Sequence, residues 1–93
     1  MQIPQEARVN LKQLEYFVAI AEEHQITAAA RRLHISQPPL SYELAQLERE
    51  LGTTLVRRGP RSATLTDAGK LLYERATRIL ALTQATKRDV EGV

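Results

Sequence analysis

Gln37, Ser41 and Tyr42 are three uncharged hydrogen-bonding side chains grouped around a Pro38-Pro39 pair. A glutamine amide sets a donor beside an acceptor, the pattern that pairs bidentately with adenine N6 and N7 in a major groove. The hydroxyls of Ser36 and Ser41 suit phosphate oxygens, contacts that position a protein on a duplex without reading sequence. Pro38 and Pro39 stiffen this tip and offer apolar contact to thymine methyl groups. Thr27 stands at another apparent helix start, where hydroxyl and backbone N–H can meet a phosphate together. Arg31 or Arg32, both on the same short helix, can reach the DNA backbone, and helix geometry turns only one of them toward the duplex. Further on, Arg57, Arg58 and Arg61 cluster with no acid between Leu51 and Leu65. Arg61 is favoured for a minor-groove or phosphate contact, and either Arg57 or Arg58 could instead be an ion-pair partner.

The elements that must hold these groups follow from periodicity. Ser36 to Gly52 reads as one helix: Ser36 or Gln37 as cap, prolines in the first turn, Gly52 as the exit. Leu40, Leu44, Leu47 and Leu51 share its buried face. Before it, Asn10 caps a helix to about His24 with Leu11, Leu14, Phe17, Val18 and Ala21 on one face. Thr27, with Ile26 as a hydrophobic staple, caps a short helix through Ala28, Ala29, Ala30 and Leu33, whose small residues permit close packing. His34-Ile35 is the turn between the two. A short helix, a tight turn and a longer helix with a polar tip make a helix-turn-helix. After Gly52, branched residues at 54–56 and 63–66 flank Gly59-Pro60-Arg61-Ser62, predicting a short hairpin with an arginine-rich tip. Thr66 caps a last helix from Ala68 to about Glu91.

The fold class predicted is therefore mostly α: a winged helix-turn-helix with a short β-hairpin wing and a long C-terminal linker helix. Residues 1–9 form a leader, expected to be mobile, 10–66 the winged helix-turn-helix, and 67–93 the linker helix. That last helix is longer than the domain's own core requires. Leu72, Ala76, Ile79, Thr83 and Thr86 recur at four, three, four and three, the spacing of a two-helix seam, predicting a homodimer interface.

Composition excludes several alternatives. The chain has 93 residues, 43% of them hydrophobic, enough for one small core. No apolar run approaches the roughly 20 residues of a membrane span, and residues 1–10 lack a signal-peptide core, so a cytoplasmic protein with no membrane partner is expected. With no cysteine, and with His24 and His34 apart at a helix end and a turn, no metal set forms. No phosphate-binding glycine loop appears; neither catalysis nor a cofactor is expected. Net charge is only +2, but the first fifty residues carry five basic and seven acidic side chains while the rest carry eight and four.

Five motifs occur in order: Leu14-Glu15-Tyr16-Phe17, Thr27 to Leu33, Ser36-Gln37-Pro38-Pro39-Leu40-Ser41, Leu47-Glu48-Arg49-Glu50-Leu51-Gly52 and Leu65-Thr66-Asp67-Ala68-Gly69. Together they resemble the N-terminal DNA-binding domain of the LysR-type transcriptional regulators, over about Leu11 to Asp89. The resemblance implies sequence-specific binding of interrupted inverted repeats in bacterial promoter DNA, by a homodimer joined through antiparallel linker helices. It also implies a larger effector-binding domain for a small molecule, absent here, and a tetrameric full-length protein. Tyr42 departs from the family, which often has Arg there; a phenol can touch a thymine methyl, donate to a phosphate, or do neither. The rival reading is a winged-helix protein-interaction module. Salt separates the two, because counterion release makes DNA binding fall steeply with salt while an apolar interface barely responds.

Overall fold

The computed structural model of the chain describes residues 8–93; most of the expected leader, residues 1–7, lies outside that range. Six elements follow in order: α1 (Leu11–Glu23), α2 (Ile26–Leu33), α3 (Gln37–Leu51), β1 (Val56–Gly59), β2 (Ser62–Leu65) and α4 (Asp67–Glu91). This is the mostly helical, winged architecture expected from the sequence.

Each helix start has its own chemistry. Asn10 Oδ1 accepts from the Gln13 N–H at 2.8 Å, and Gln13 Oε1 accepts from the Asn10 N–H at 3.2 Å. This reciprocal box satisfies two donors at the head of α1. α4 starts on Thr66, whose Oγ1 accepts from the Gly69 N–H at 3.0 Å. The other two starts differ from expectation. α2 begins two residues early, with Gln25 at the cap position and no side-chain cap bond, so Thr27 is a second helical residue and not the cap. At α3, Ser36 occupies the cap position, again without a cap bond. The reason is chemical: a cap accepts from the second or third helical N–H, and those residues are Pro38 and Pro39, which have none. α1 and α2 exit through His24 (φ 59°) and His34 (φ 58°), left-handed positions where a side chain costs about 1–2 kcal/mol. α3 exits at Gly52 (φ 68°), where that cost vanishes.

The core lies between α1, α2 and α3, with the base of the hairpin closing it. Phe17, Ile20, Leu40, Leu44, Leu47 and Leu55 are its fully buried large side chains. Ala29 and Ala30 let α2 lie close against this cluster. Leu51 does not follow the other leucines inward. It is 42% exposed, because the last turn of α3 runs beyond the surface it packs on.

The hairpin ladder pairs Val56 with Leu65, Arg57 with Thr64, Arg58 with Ala63 and Gly59 with Ser62. It therefore reaches nearer the tip than expected, leaving Pro60-Arg61 as a two-residue turn. So short a ribbon needs support. Glu48 Oε2 accepts from the Leu55 and Val56 N–H groups at 2.8 and 3.3 Å. The Ala63 N–H donates to the His24 carbonyl at 2.8 Å, fastening the wing to the α1–α2 turn. At the base, Thr66 Oγ1 donates to the Thr54 carbonyl at 2.7 Å. Gly69 lies so close that a Cβ there would sit 2.1 Å from the Leu55 carbonyl oxygen.

α4 packs its first half on α1 through a second cluster, Leu14, Val18 and Ala76, with Leu72, Tyr73 and Leu80 at its edge. Its 25 residues span about 37 Å at 1.5 Å per residue. Beyond Leu80 none of its residues is buried.

Candidate nucleic-acid interface

One cleft of about 120 Å³ lies between the start of α2, the tip of α3 and the wing turn. Thr27, Gln37, Arg58 and Arg61 line it together with Gln25 and Ser62. Four of the residues selected from the sequence thus converge from three separate elements. Arg58 shares a face of the ribbon with buried Val56 and Ala63, which aims it along the core side toward the cleft. Arg57, one residue earlier, stands on the opposite face with Thr64 and is not part of the cleft.

The backbone adds donors beside the Thr27 N–H expected from the sequence. α2 has no side-chain cap, so the N–H groups of Ile26, Thr27 and Ala28 keep no helical partner. They carry the positive end of the helix dipole, a ready anion site. α3 is the reverse: Gln37 alone offers an N–H among its first three residues, since prolines follow. The start of α2 therefore offers backbone donors to an anion, while the tip of α3 offers mainly side chains. The sequence signal was present but small: no Ser, Thr, Asp or Asn stands at position 25.

Around the cleft, Ser36, Pro38 and Pro39 are exposed and Ser41 is half-buried. Tyr42 is 62% exposed, on the side of α3 opposite the leucines. The two α2 arginines differ in their ion pairs. Arg32 is 2.8 Å from Glu22 and 3.2 Å from Glu23, whereas Arg31 is exposed with no acidic partner among the described residues. Tyr73 donates to Glu22 at 2.6 Å. With Arg32 beside it as well, that carboxyl is held below its usual range, and the phenol is held above its own. Neither Arg57 nor Arg58 forms an ion pair among the described residues, which leaves both guanidinium groups free.

Carboxylates are kept off this surface. α3 carries three, and each is engaged at a flank. Glu43 is 2.7 Å from the Lys12 ammonium, which holds its carboxyl below the usual range. Glu48 binds the hairpin base. Glu50 accepts from the Arg8 N–H at 3.2 Å. A helix with this many acids presents none of them on the outer side where Tyr42 stands.

The wing tip gives a direct test. Arg61 is exposed in the turn, so Arg61→Ala is expected to weaken DNA binding without unfolding the domain. The slope of log affinity against log salt should flatten by roughly one unit, the loss of one neutralised phosphate. An unchanged slope in a salt titration removes Arg61 from the interface.

The expected helix seam is rearranged. Ala76 has no exposed surface, because it packs against Leu14 and Val18 of the same chain, so it cannot touch a partner helix. Leu72 is half-buried on α1. The exposed apolar side chains of α4 are Ile79 (43% exposed) of the expected seam, Val90 (67%) in line with it, and Leu71 (54%) and Leu82 (67%) to one side of it. Thr83 and Thr86, also exposed, donate their hydroxyls to the Ile79 and Leu82 carbonyls at 2.9 and 2.7 Å. No helix among the described residues is long and apolar enough to cross a membrane.

Residues 11–70 match the model of a family described as bacterial regulatory helix-turn-helix protein, lysR family. The chain is 48% identical over 85 residues to the HTH-type transcriptional regulator BudR of Klebsiella aerogenes, covering 91% of this chain and 59% of that protein. It is 47% identical over 79 residues to the HTH-type transcriptional regulator ClcR of Pseudomonas putida, covering 85% of this chain and 27% of that one. It thus spans less than two thirds of the length of these relatives. The crystal structure of a CbnR DBD–DNA complex is similar with a TM-score of 0.88 at 40% identity, over 90% of this chain and 97% of that one. A BenM DBD/catB site 1 DNA complex is similar with a TM-score of 0.86 at 38% identity, over 89% and 92%.

Proposed function

The chain belongs to the lysR family of bacterial regulatory helix-turn-helix proteins and carries the DNA-binding domain of a transcriptional regulator, and from that premise we propose that it reads an interrupted inverted repeat in promoter DNA as a two-fold pair. The observation that carries this reading is the acid-free cleft where Thr27, Gln37, Arg58 and Arg61 meet the uncapped start of α2. In it the α2 N–H groups and the Thr27 hydroxyl hold one phosphate, and Arg31 reaches the next stretch of backbone. Gln37 pairs with an adenine edge, Pro38 and Pro39 lie against thymine methyl groups, and Tyr42 adds apolar contact or a phosphate bond from the outer side of α3. Ser36 and Ser41 donate to phosphates. Ser36 supports this because, with prolines after it, its hydroxyl has no capping duty to leave. Arg61 enters the minor groove from the wing tip while Arg57 and Arg58 neutralise the backbone beside it.

Pairing rests on α4. In this division residues 10–66 read DNA and residues 67–93 join two copies. The exposed side of α4 would be covered, and Leu71, Ile79, Leu82 and Val90 make it apolar. The threonines support burial there, because their hydroxyls already bond to their own helix and would not be left unpaired.

Gln37→Ala tests the base-reading role. It removes an exposed side chain and is expected to leave folding intact. Affinity for the best site should fall by about 1–3 kcal/mol, with a smaller fall on random DNA. Equal losses on both would make Gln37 a positioning residue only. Affinity for any DNA that stays level across a salt series would favour the protein-interaction module instead.

A further inference from the structure

The outermost line of α3 extends past the tip. Tyr42, Ala45, Gln46 and Arg49 recur at three, one and three along the side opposite Leu40, Leu44 and Leu47. Tyr42 and Arg49 are exposed, and Gln46 and Ala45 are half-buried. Ala45 places only a methyl group at the centre of this line, so the helix backbone can approach a groove floor closely. The three acids of the helix are turned to its flanks and engaged there. A polyanion facing α3 therefore meets a phenol, a methyl, an amide and a guanidinium.

One contact gives this line a specific chemistry. The Arg49 Nη1 donates to the Gln46 Oε1. A free glutamine amide can turn over and satisfy adenine, which needs one acceptor and one donor from it. With its oxygen engaged by a guanidinium, Gln46 presents its NH₂ outward. Two donors on one nitrogen suit the guanine edge, where N7 and O6 are both acceptors.

We propose that Gln46, oriented by Arg49, reads a guanine at a base pair distinct from the one that Gln37 reads. The two glutamines are nine residues apart, about 13 Å along the helix axis, so one base pair cannot serve both. Arg49 is a positioning residue toward that guanine, and its remaining N–H groups face the phosphate at the far edge of the groove. This inference rests on the DNA-binding reading above.

Selection of bound sequences from a random duplex pool tests it, run with the parent chain, Gln46→Ala and Arg49→Ala. Both substitutions place a good helix former at an accessible helix position, and circular dichroism checks that each variant folds. The parent should select a guanine at one position of each half-site away from the Gln37-dependent one. Gln46→Ala should flatten that position alone, cost about tenfold in affinity for the selected site, and leave random-DNA affinity unchanged. Arg49→Ala frees the amide to turn over, so the preference there should move from guanine toward adenine. A residue that only touched phosphate, or only stiffened the helix, would not produce that shift. Unaltered guanine preference in either variant overturns the inference, as does a parent site with no guanine beyond the Gln37 position. A parent chain that enriches no sequence at any salt concentration would overturn the DNA-binding reading itself.

Discussion

Leu82→Glu is expected to give a folded monomer that binds an inverted repeat no better than a single half-site. Leu82 is 67% exposed and contributes nothing to the core of its own chain, so the substitution spares the domain. In a two-fold pair joined along α4 it would bring two carboxylates into an apolar contact. Burying them costs several kcal/mol unless they take up protons. Linking two modules raises overall affinity by about 10²–10⁴ through effective concentration alone, and that factor is what the variant should lose. Ile79→Glu, on the same side of α4, should behave alike. Sedimentation gives the mass, and titrations on whole and half repeats give the factor. If parent and variant sediment alike and the repeat has no advantage for either, the pair is not built on α4.

Leu47→Ala is expected to remove about 2–5 kcal/mol of stability, the usual cost of truncating a buried leucine. Leu47 has no exposed surface and sits where α1, α2 and α3 meet. Small domains are stable by only about 5–15 kcal/mol, so melting should begin tens of degrees earlier. Leu51→Ala provides the contrast. Leu51 is 42% exposed, and its truncation should cost only about 1 kcal/mol. Urea unfolding of the two variants measures both. A Leu47→Ala loss below about 0.5 kcal/mol would mean that α3 is turned the wrong way round.

The difference between those two leucines shows what periodicity can and cannot tell. Spacing of four and three names a face of a helix, and Leu40, Leu44 and Leu47 do lie inward on it. Spacing does not say how far the opposing surface extends, and Leu51 lies past its edge. The same limit applies to α4. Leu72, Ala76, Ile79, Thr83 and Thr86 have the spacing of a helix contact, but α1 occupies part of that face, and Ala76 belongs to it. Caps at Asn10 and Thr66 and the exit at Gly52 were legible because each rests on local chemistry. The cap expected at Ser36 or Gln37 is not formed, because Pro38 and Pro39 leave no N–H for it to accept from. The start of α2 was not legible, since Gln25 carries no capping group to mark it. Thr27, Gln37 and the arginines could be chosen one by one from the sequence. Their convergence could not, because it depends on the hydrogen bond from Ala63 to His24 that fastens the wing beside the start of α2.

Gly69 makes a mechanical statement. With no room for even a methyl group between it and the Leu55 carbonyl, the first turn of α4 is welded to the root of the wing, and Glu48 welds that root to α3. Helix, wing and reading head then turn as one rigid jaw. In the proposed pair of chains crossed along α4 the result would be a caliper: the crossing angle at the pivot would set the gap between the jaws, and that gap would decide which half-site spacing is gripped. Whatever shifted that pivot would then change which stretch of DNA is measured, with no change in any residue proposed to touch a base.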